Sequence, residues 1–238
     1  MIYEVRTYHI TPHKVPEVMK RFGEAYDARA RISPLLGFFY TDIGPLNQII
    51  HIWPYENIAE RERIRVEAAK LPNWPPNISE FLEDMNSEIF IPFSSVPPMA
   101  PGKHGPIYEL RSYIIKAGEM GGQAERWGKA LPARAELSPA IAAMHTELGT
   151  LNKFVHIWTY ESLDQRAEIR AKAIELGVWP PKGGTPGSLI SQENKIMLPA
   201  PFDDDNIIGF EIPMNNPLIV QDVEDVDGAV HHALQSLH

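Results

Sequence analysis

The stretch Tyr3-Glu4-Val5-Arg6-Thr7-Tyr8 recurs 105 residues later as Tyr108-Glu109-Leu110-Arg111-Ser112-Tyr113. The match continues without a gap to Trp74-Pro75-Pro76, which corresponds to Trp179-Pro180-Pro181, and roughly 30 of these 74 positions are identical. After a two-residue change in length, Ile89-Phe90-Ile91-Pro92 corresponds to Ile196-Met197-Leu198-Pro199. The chain is therefore predicted to be an internal tandem duplication.

The duplication divides the chain into four parts. They are a first repeat at 1–96, a linker rich in proline and glycine at 97–106, a second repeat at 107–202 and an extension at 203–238. The extension holds eight of the 31 acidic residues and no Lys or Arg, so the duplicated body is near neutral and an anionic ligand is permissible. The apolar runs 207–212 and 217–220 predict that part of the extension packs on the body or on a neighbouring chain.

Each repeat shows the order β-α-β-β-α-β. In the first repeat, alternation and helical spacing predict a strand at 2–10, a helix at 13–31, strands at 36–41 and 48–53, a helix that begins at the capping box Asn57–Glu60, and a strand at 88–91. This order is the ferredoxin-like split βαβ motif of the α+β class. Two such antiparallel sheets are predicted to pack together as an α/β barrel within one chain.

Composition excludes several classes of protein. The chain has 238 residues, 44% of them hydrophobic, no cysteine and a formal charge of −9. The negative charge argues against nucleic-acid binding, and no apolar run approaches the roughly 20 residues that span a bilayer. The chain opens on strand-like alternation and has no signal-peptide pattern, so we expect a cytoplasmic protein without membrane insertion. The histidine spacing predicts no metal site.

Three motifs together resemble the NIPSNAP family of the dimeric α/β-barrel superfamily: Tyr-Glu-x-Arg-x-Tyr, Ala28–Pro34 and Gly44–Glu56. The resemblance implies the barrel fold and a pocket, and no agreed catalytic residue. Members of the wider superfamily include cofactor-free monooxygenases, haem enzymes and lactone isomerases, and many associate further. The resemblance therefore implies a homo-oligomer and an oxygenase or isomerase that uses no cofactor or a haem. The second copy has Thr150 and Thr159 in place of Pro45 and Pro54, which leaves open which repeat carries a working site.

Two arginines occupy apolar helix stripes. Arg29 follows Phe22 by seven residues and Arg134 follows Trp127 by seven, so both are predicted to face the sheet. One interpretation is structural: an ion pair with Glu4 or Glu109, or a side chain whose stem packs while its charged head reaches water. The other is a pocket guanidinium that holds an anionic or carbonyl ligand.

A polar and aromatic cluster is predicted over the first and third strands of each repeat. It comprises His51, Trp53, Tyr55, Arg6 and Tyr8 in the first repeat and His156, Trp158, Tyr160, Arg111 and Tyr113 in the second. His51 and His156 are candidate proton carriers or axial haem ligands, since histidine changes charge near neutral pH, or else they are hydrogen-bonded core residues. Asn47 and Asn152 either donate to a ligand carbonyl or form turns.

Two functions from different classes follow. The first is binding, with or without turnover, of a small aromatic, carbonyl or anionic molecule, oriented by Arg29 or Arg134 and protonated or deprotonated by His51 or His156. The second is a non-catalytic binding or scaffold protein, in which the aromatic cluster is core and the function lies in oligomeric assembly.

Overall fold

The computed structural model describes residues 1–201, so the predicted packing of the acidic extension lies outside the described residues. The first repeat contains β1 (Ile2–Ile10), α1 (Val15–Ala30), β2 (Gly37–Ile43), β3 (Gln48–Tyr55), α2 (Ile58–Ala68) and β4 (Leu82–Pro92). The second contains β5 (Ile107–Ile115), α3 (Met120–Ala135), β6 (Ala140–Leu148), β7 (Lys153–Tyr160), α4 (Leu163–Glu175) and β8 (Leu189–Pro199). Both repeats therefore have the predicted β-α-β-β-α-β order.

The eight strands form one closed antiparallel barrel in the order β1-β3-β2-β8-β5-β7-β6-β4. The two sheets join edge to edge, because β2 pairs with β8 and β4 pairs with β6. Closure leaves no free sheet edge among these strands, which explains why the two repeats are held together in one body.

The barrel interior is built from both repeats. Inward residues of β1 and β3, such as Tyr3, Val5 and Ile52, pack against Tyr108 and Leu110 of β5 in one apolar cluster. Met99 of the linker joins this cluster, and its backbone N–H donates to the Tyr3 hydroxyl at 3.0 Å. The interior is thus occupied by packed side chains, and the outer face of the sheet is left for the helices.

The helices lie on the outer face, and their ends follow the sequence signals. The Asn57 side chain accepts from the backbone N–H of Glu60 at 2.9 Å, and Ser162 does the same for Gln165 at 3.0 Å, so the predicted capping boxes begin α2 and α4. Val18, Phe22 and Tyr26 of α1 are buried. Among residues 1–201, no helix combines the length and apolar character needed to cross a bilayer.

One strand is longer than its sequence pattern predicted. β4 begins at Leu82, whereas the alternation predicted a strand only from 88. Residues 83–87 are exposed and all polar except Met85, so they carry no alternating apolar pattern, yet they pair with β1 in the register Arg6↔Ser87 and Tyr8↔Met85. The N-terminal half of β4 is therefore a strand because its backbone pairs with β1, and not because its side chains are buried.

Candidate functional site

A cavity of about 360 Å³ lies in the first repeat, between the outer face of the sheet and the helices α1 and α2. The segment Trp74–Pro76, which follows α2, forms one of its walls. This volume is within the range of small-molecule sites. The ionisable lining residues are Glu4, Arg6, Arg29, His51 and Arg65, and the aromatic ones are Tyr8, Phe22, Trp53, Tyr55 and Trp74.

The pairing of β1 with β3 places the predicted residues at this cavity. Arg6 lies opposite His51, and Glu4 lies opposite Trp53. Since alternate residues of a strand point to one face, the residues two positions away point the same way. The structure therefore brings together the first-repeat set that the sequence predicted: Arg6, Tyr8, Arg29, His51, Trp53 and Tyr55.

His51 is 2% exposed and lies among aromatic rings. The Trp53 indole N–H donates to His51 Nδ1 at 2.7 Å, and the Tyr8 ring packs edge-on at 4.8 Å between centroids. An accepting Nδ1 in a neutral imidazole requires the proton to be on Nε2. Nε2 is buried and has no hydrogen-bond partner among residues 1–201. The site therefore contains a buried N–H donor that the described protein does not satisfy.

The charge state of His51 differs from the sequence-based expectation. Burial, together with the charge of Arg6, lowers the pKa of His51 to about 3. The predicted titration near neutral pH is therefore wrong, because the imidazole is neutral there. Protonation would also have to occur on Nδ1, where it would displace the hydrogen bond from Trp53.

Glu4 is fully buried and is held by cations of β1 and α2. Its Oε1 accepts from Arg6 at 2.8 Å and from Arg61 and Ser87 at 2.7 Å each, and it lies 3.7 Å from Arg65. Burial alone would raise the pKa of Glu4, but the hydrogen bonds from Arg61 and Ser87 outweigh it and lower the pKa to about 2. Glu4 is therefore a carboxylate, and its Oε2 has no partner in the described part of the chain.

Arg29 is 3% exposed and stacks on an aromatic wall. Its guanidinium carbon lies 4.1 Å from the Trp53 ring centroid, and it donates to the Ser33 carbonyl at 2.5 Å and to the Tyr55 hydroxyl at 3.4 Å. The predicted ion pair with Glu4 does not form, because cations from β1 and α2 surround that carboxylate. Burial lowers the pKa of Arg29, yet a guanidinium stays protonated, so it supplies positive charge to the cavity.

The second repeat repeats much of this arrangement. Trp158 donates to His156 Nδ1 at 2.7 Å, and Arg134 stacks on Trp158 at 4.2 Å. Arg111 lies opposite His156 and donates to Tyr113 at 2.7 Å. Burial lowers the pKa of His156 well below its usual value, so it too is neutral near pH 7.

Two differences separate the repeats. Trp127 stands where the first repeat has Phe22, and it packs 5.7 Å from Trp158 and 5.3 Å from Trp179. The Tyr160 hydroxyl donates to Glu109 Oε2 at 3.5 Å. The second repeat thus places a larger indole against Trp158 and Trp179 and gives both carboxylate oxygens of Glu109 a partner.

Asn47 and Asn152 do not join the sites. Both have a left-handed backbone, with φ of 57° and 56°, and their carbonyls accept from Ile10 and Ile115 at 2.8 Å. Neither asparagine lines the first-repeat cavity. These features match the turn alternative, because asparagine here satisfies a local φ > 0 requirement.

Sequence reasoning missed part of the lining. Arg65 comes from α2, and Phe22 and Trp74 enclose the cavity. The recurrence of Trp74-Pro75-Pro76 as Trp179-Pro180-Pro181 was the available signal for Trp74. Within residues 1–201, no group of three or more His, Asp or Glu side chains is placed to hold a metal ion.

Comparisons with known proteins agree with the duplication. The NIPSNAP family model matches the chain twice, at residues 3–97 and 108–203. Protein NipSnap homolog 3A of Homo sapiens is 30% identical over 213 residues, which is 85% of each chain. The NipSnap homolog of Dictyostelium discoideum is 28% identical over 213 residues, covering 83% of this chain and 87% of its own.

A solved structure of low identity shows the same fold. A monooxygenase-like protein from Lactobacillus acidophilus superimposes with a TM-score of 0.56 at 11% identity. The match covers 83% of this chain and 92% of that one. The common feature is the dimeric α/β barrel, here formed within one chain.

Proposed function

The chain belongs to the NIPSNAP family, and we propose that it binds a small aromatic molecule with a carbonyl or anionic oxygen in the cavity of its first repeat. The observation that carries this proposal is His51 Nε2–H, a buried donor that lines the cavity and has no partner among residues 1–201. His156 Nε2 in the second repeat also lacks a partner, but there the larger Trp127 ring packs 5.6 Å from the imidazole. A buried donor left unsatisfied costs about 1–3 kcal/mol, and a ligand oxygen would recover that cost.

The charges of the cavity favour an electron-rich ligand group. Arg6, Arg29 and Arg65 line it, against the single carboxylate of Glu4. In a site with little water, such cations attract an anionic or strongly dipolar oxygen. The same groups would stabilise negative charge that develops on that oxygen if the ligand is a substrate.

The walls of the cavity favour a planar body. Trp53 and Trp74 lie edge-to-face with ring centroids 5.8 Å apart, and Phe22 packs 5.9 Å from Trp74. Aromatic walls of this kind bury a ring with favourable offset or edge contacts. Ring and oxygen together define the ligand class of the proposal.

The proposal assigns His51 the role of a hydrogen-bond donor, not of a proton carrier. A pKa of about 3 leaves the imidazole neutral at physiological pH. A neutral histidine whose Nε2 bears the proton polarises a carbonyl by hydrogen bonding. Turnover, if it occurs, would therefore use His51 to stabilise an oxyanion.

The residues do not fit axial haem ligation. An axial histidine must offer a nitrogen lone pair, and the Nδ1 lone pair of His51 accepts from Trp53 at 2.7 Å. Offering Nε2 instead would move the proton to Nδ1, where it would face the Trp53 N–H. The proposal therefore includes no haem.

The experiment measures binding of three probes by calorimetry: benzoate, acetophenone and toluene. Benzoate and acetophenone carry an oxygen acceptor and toluene does not, so the first two should bind more tightly. The variant His51→Phe should weaken benzoate binding about tenfold or more, since one hydrogen bond to a charged acceptor is lost. The matched variant His156→Phe removes an equivalent tryptophan–histidine bond at 2.7 Å and should leave the affinity within about twofold.

The outcomes separate the possibilities. If neither benzoate nor acetophenone binds with a millimolar or lower dissociation constant, the proposal fails. Equal loss of affinity in both histidine variants would also overturn it, because the first-repeat cavity would then not be the binding site.

A further inference from the structure

We infer that the ligand of the first-repeat cavity also carries a hydroxyl group that donates to Glu4, so that its class is a hydroxy-substituted aromatic carboxylate or ketone. This inference rests on the proposed function, because it describes a second contact in the same cavity. It identifies Glu4 as a specificity-determining residue.

The first step is the uneven use of the two carboxylate oxygens of Glu4. Oε1 takes the three hydrogen bonds, from Arg6, Arg61 and Ser87. Oε2 is buried and lacks a hydrogen-bond partner in residues 1–201, although Glu4 lines the cavity. An ionised oxygen without a hydrogen bond in a buried site is strongly unfavourable, so a hydrogen bond from a ligand donor to this oxygen would contribute favourably to binding.

The second step is the contrast with the other repeat. Glu109 is bound by Arg111 at 2.9 Å and Arg166 at 2.6 Å, in the same way as its counterpart. Its Oε2, however, accepts from the Tyr160 hydroxyl at 3.5 Å and lies 4.0 Å from Arg170. The equivalent phenol of the first repeat, Tyr55, also lines the cavity but makes no such hydrogen bond to Glu4 Oε2, so this oxygen is left for a ligand hydroxyl.

The third step is the spacing of the two open atoms. Glu4 pairs with Trp53 across β1 and β3, so His51 is its diagonal neighbour on the same face. Diagonal neighbours in a sheet lie about 7–8 Å apart at Cα, with side chains within reach of one another. One substituted ring can therefore contact both, with an acceptor toward His51 and a donor toward Glu4.

The fourth step selects the kind of donor. An ammonium group would meet the positive charges of Arg6, Arg29 and Arg65, which also line the cavity. A neutral hydroxyl avoids this repulsion. Because the pKa of Glu4 is about 2, the carboxylate accepts a hydrogen bond from the hydroxyl and is too weakly basic to remove its proton.

The experiment compares benzoate, 3-hydroxybenzoate and 3-methoxybenzoate by calorimetry with the full chain. The wild-type protein should bind 3-hydroxybenzoate about tenfold or more tightly than either of the others, because only the hydroxyl donates to a carboxylate. Glu4→Gln should reduce that preference to about twofold or less. Glu109→Gln removes the same kind of charge from an equivalent arginine cluster in the second repeat, and it should keep the full preference.

Equal binding of benzoate and 3-hydroxybenzoate by the wild-type protein would overturn the inference and leave the proposed function standing. Failure of all three probes to bind would overturn the proposed function itself. A preference for 3-hydroxybenzoate that persists in Glu4→Gln would show that a group other than Glu4 binds the hydroxyl, and it would overturn the inference. If Glu4→Gln does not fold, the wild-type comparison of the three probes still decides the inference.

Discussion

Replacement of His51 by phenylalanine should make the protein less sensitive to mild acid. The unfolded chain binds a proton on this histidine with a pKa near 6.5, whereas in the native protein burial, aided by the charge of Arg6, lowers the pKa to about 3. Between these two values the unfolded state binds more protons than the native state. The free energy of unfolding therefore falls as the pH falls from about 6.5 toward 3.

The magnitude of this effect follows from the two pKa values. Moving from pH 7 to pH 5 stabilises the unfolded state of one such histidine by about 2 kcal/mol. Any native pKa below about 4 gives nearly the same figure, because native His51 is then still unprotonated at pH 5. Glu4, with a pKa lowered to about 2, stays ionised over this range and adds little to the change.

The assay is urea unfolding at pH 7 and pH 5. The loss of unfolding free energy between the two pH values should be about 2 kcal/mol smaller in His51→Phe than in the wild-type protein. His156→Phe should show a reduction in the same direction, since the pKa of His156 is also strongly lowered by burial. Ile52→Val destabilises the fully buried core without removing a histidine, and it should keep the wild-type pH dependence.

A wild-type pH dependence in His51→Phe would refute the reasoning. It would mean that native His51 takes up a proton above pH 5. The imidazole would then be available as a proton carrier near neutral pH, and its assignment as a fixed N–H donor would be wrong.

Three further predictions concern the cavity, a turn and the junction of the repeats. Arg29→Met should weaken benzoate binding about tenfold in calorimetry, because Arg29 lines the first-repeat cavity. Arg134→Met is the matched control outside that cavity, and an equal loss of affinity in both variants would contradict the prediction. Asn47→Val should lower the urea-derived free energy of unfolding by about 1–2 kcal/mol and Asn47→Gly by much less, because the backbone φ of residue 47 is 57° and glycine adopts that value without strain. Equal effects of the two substitutions would argue against backbone strain. Lys153→Met should lower the free energy of unfolding by about 2 kcal/mol, because it leaves the buried Glu88 carboxylate without its paired cation. The loss should be smaller than for a fully buried pair, since Lys153 is 23% exposed. Adding Glu88→Gln should recover part of the loss, and no recovery would show that the pair does not interact.

Some properties remain predictions from sequence. The expectation of a cytoplasmic homo-oligomer rests on composition and on the resemblance to the wider superfamily. Scaffold function through assembly rests on the same grounds. Native mass spectrometry of the full chain would measure the number of subunits directly.

The sequence by itself determined the repeat, the strand and helix order and the shared face of Arg6 and His51. These properties are local or periodic: alternation places a residue on one side of a strand, and duplication shows the pattern twice. The capping boxes of α2 and α4 could be predicted because they too are local, with donor and acceptor only three residues apart in the sequence.

Only the tertiary structure decided what the site contains. Arg61 lies 57 residues from Glu4 and Ser87 lies 83 residues away, yet both donate to Oε1, whereas Oε2 has no partner among the described residues. The neutral state of His51 likewise depends on burial beneath α1 and on a charge from the neighbouring strand. Periodicity predicts the direction in which a side chain points, but desolvation and hydrogen-bond partners depend on segments that folding brings together from far apart in the chain.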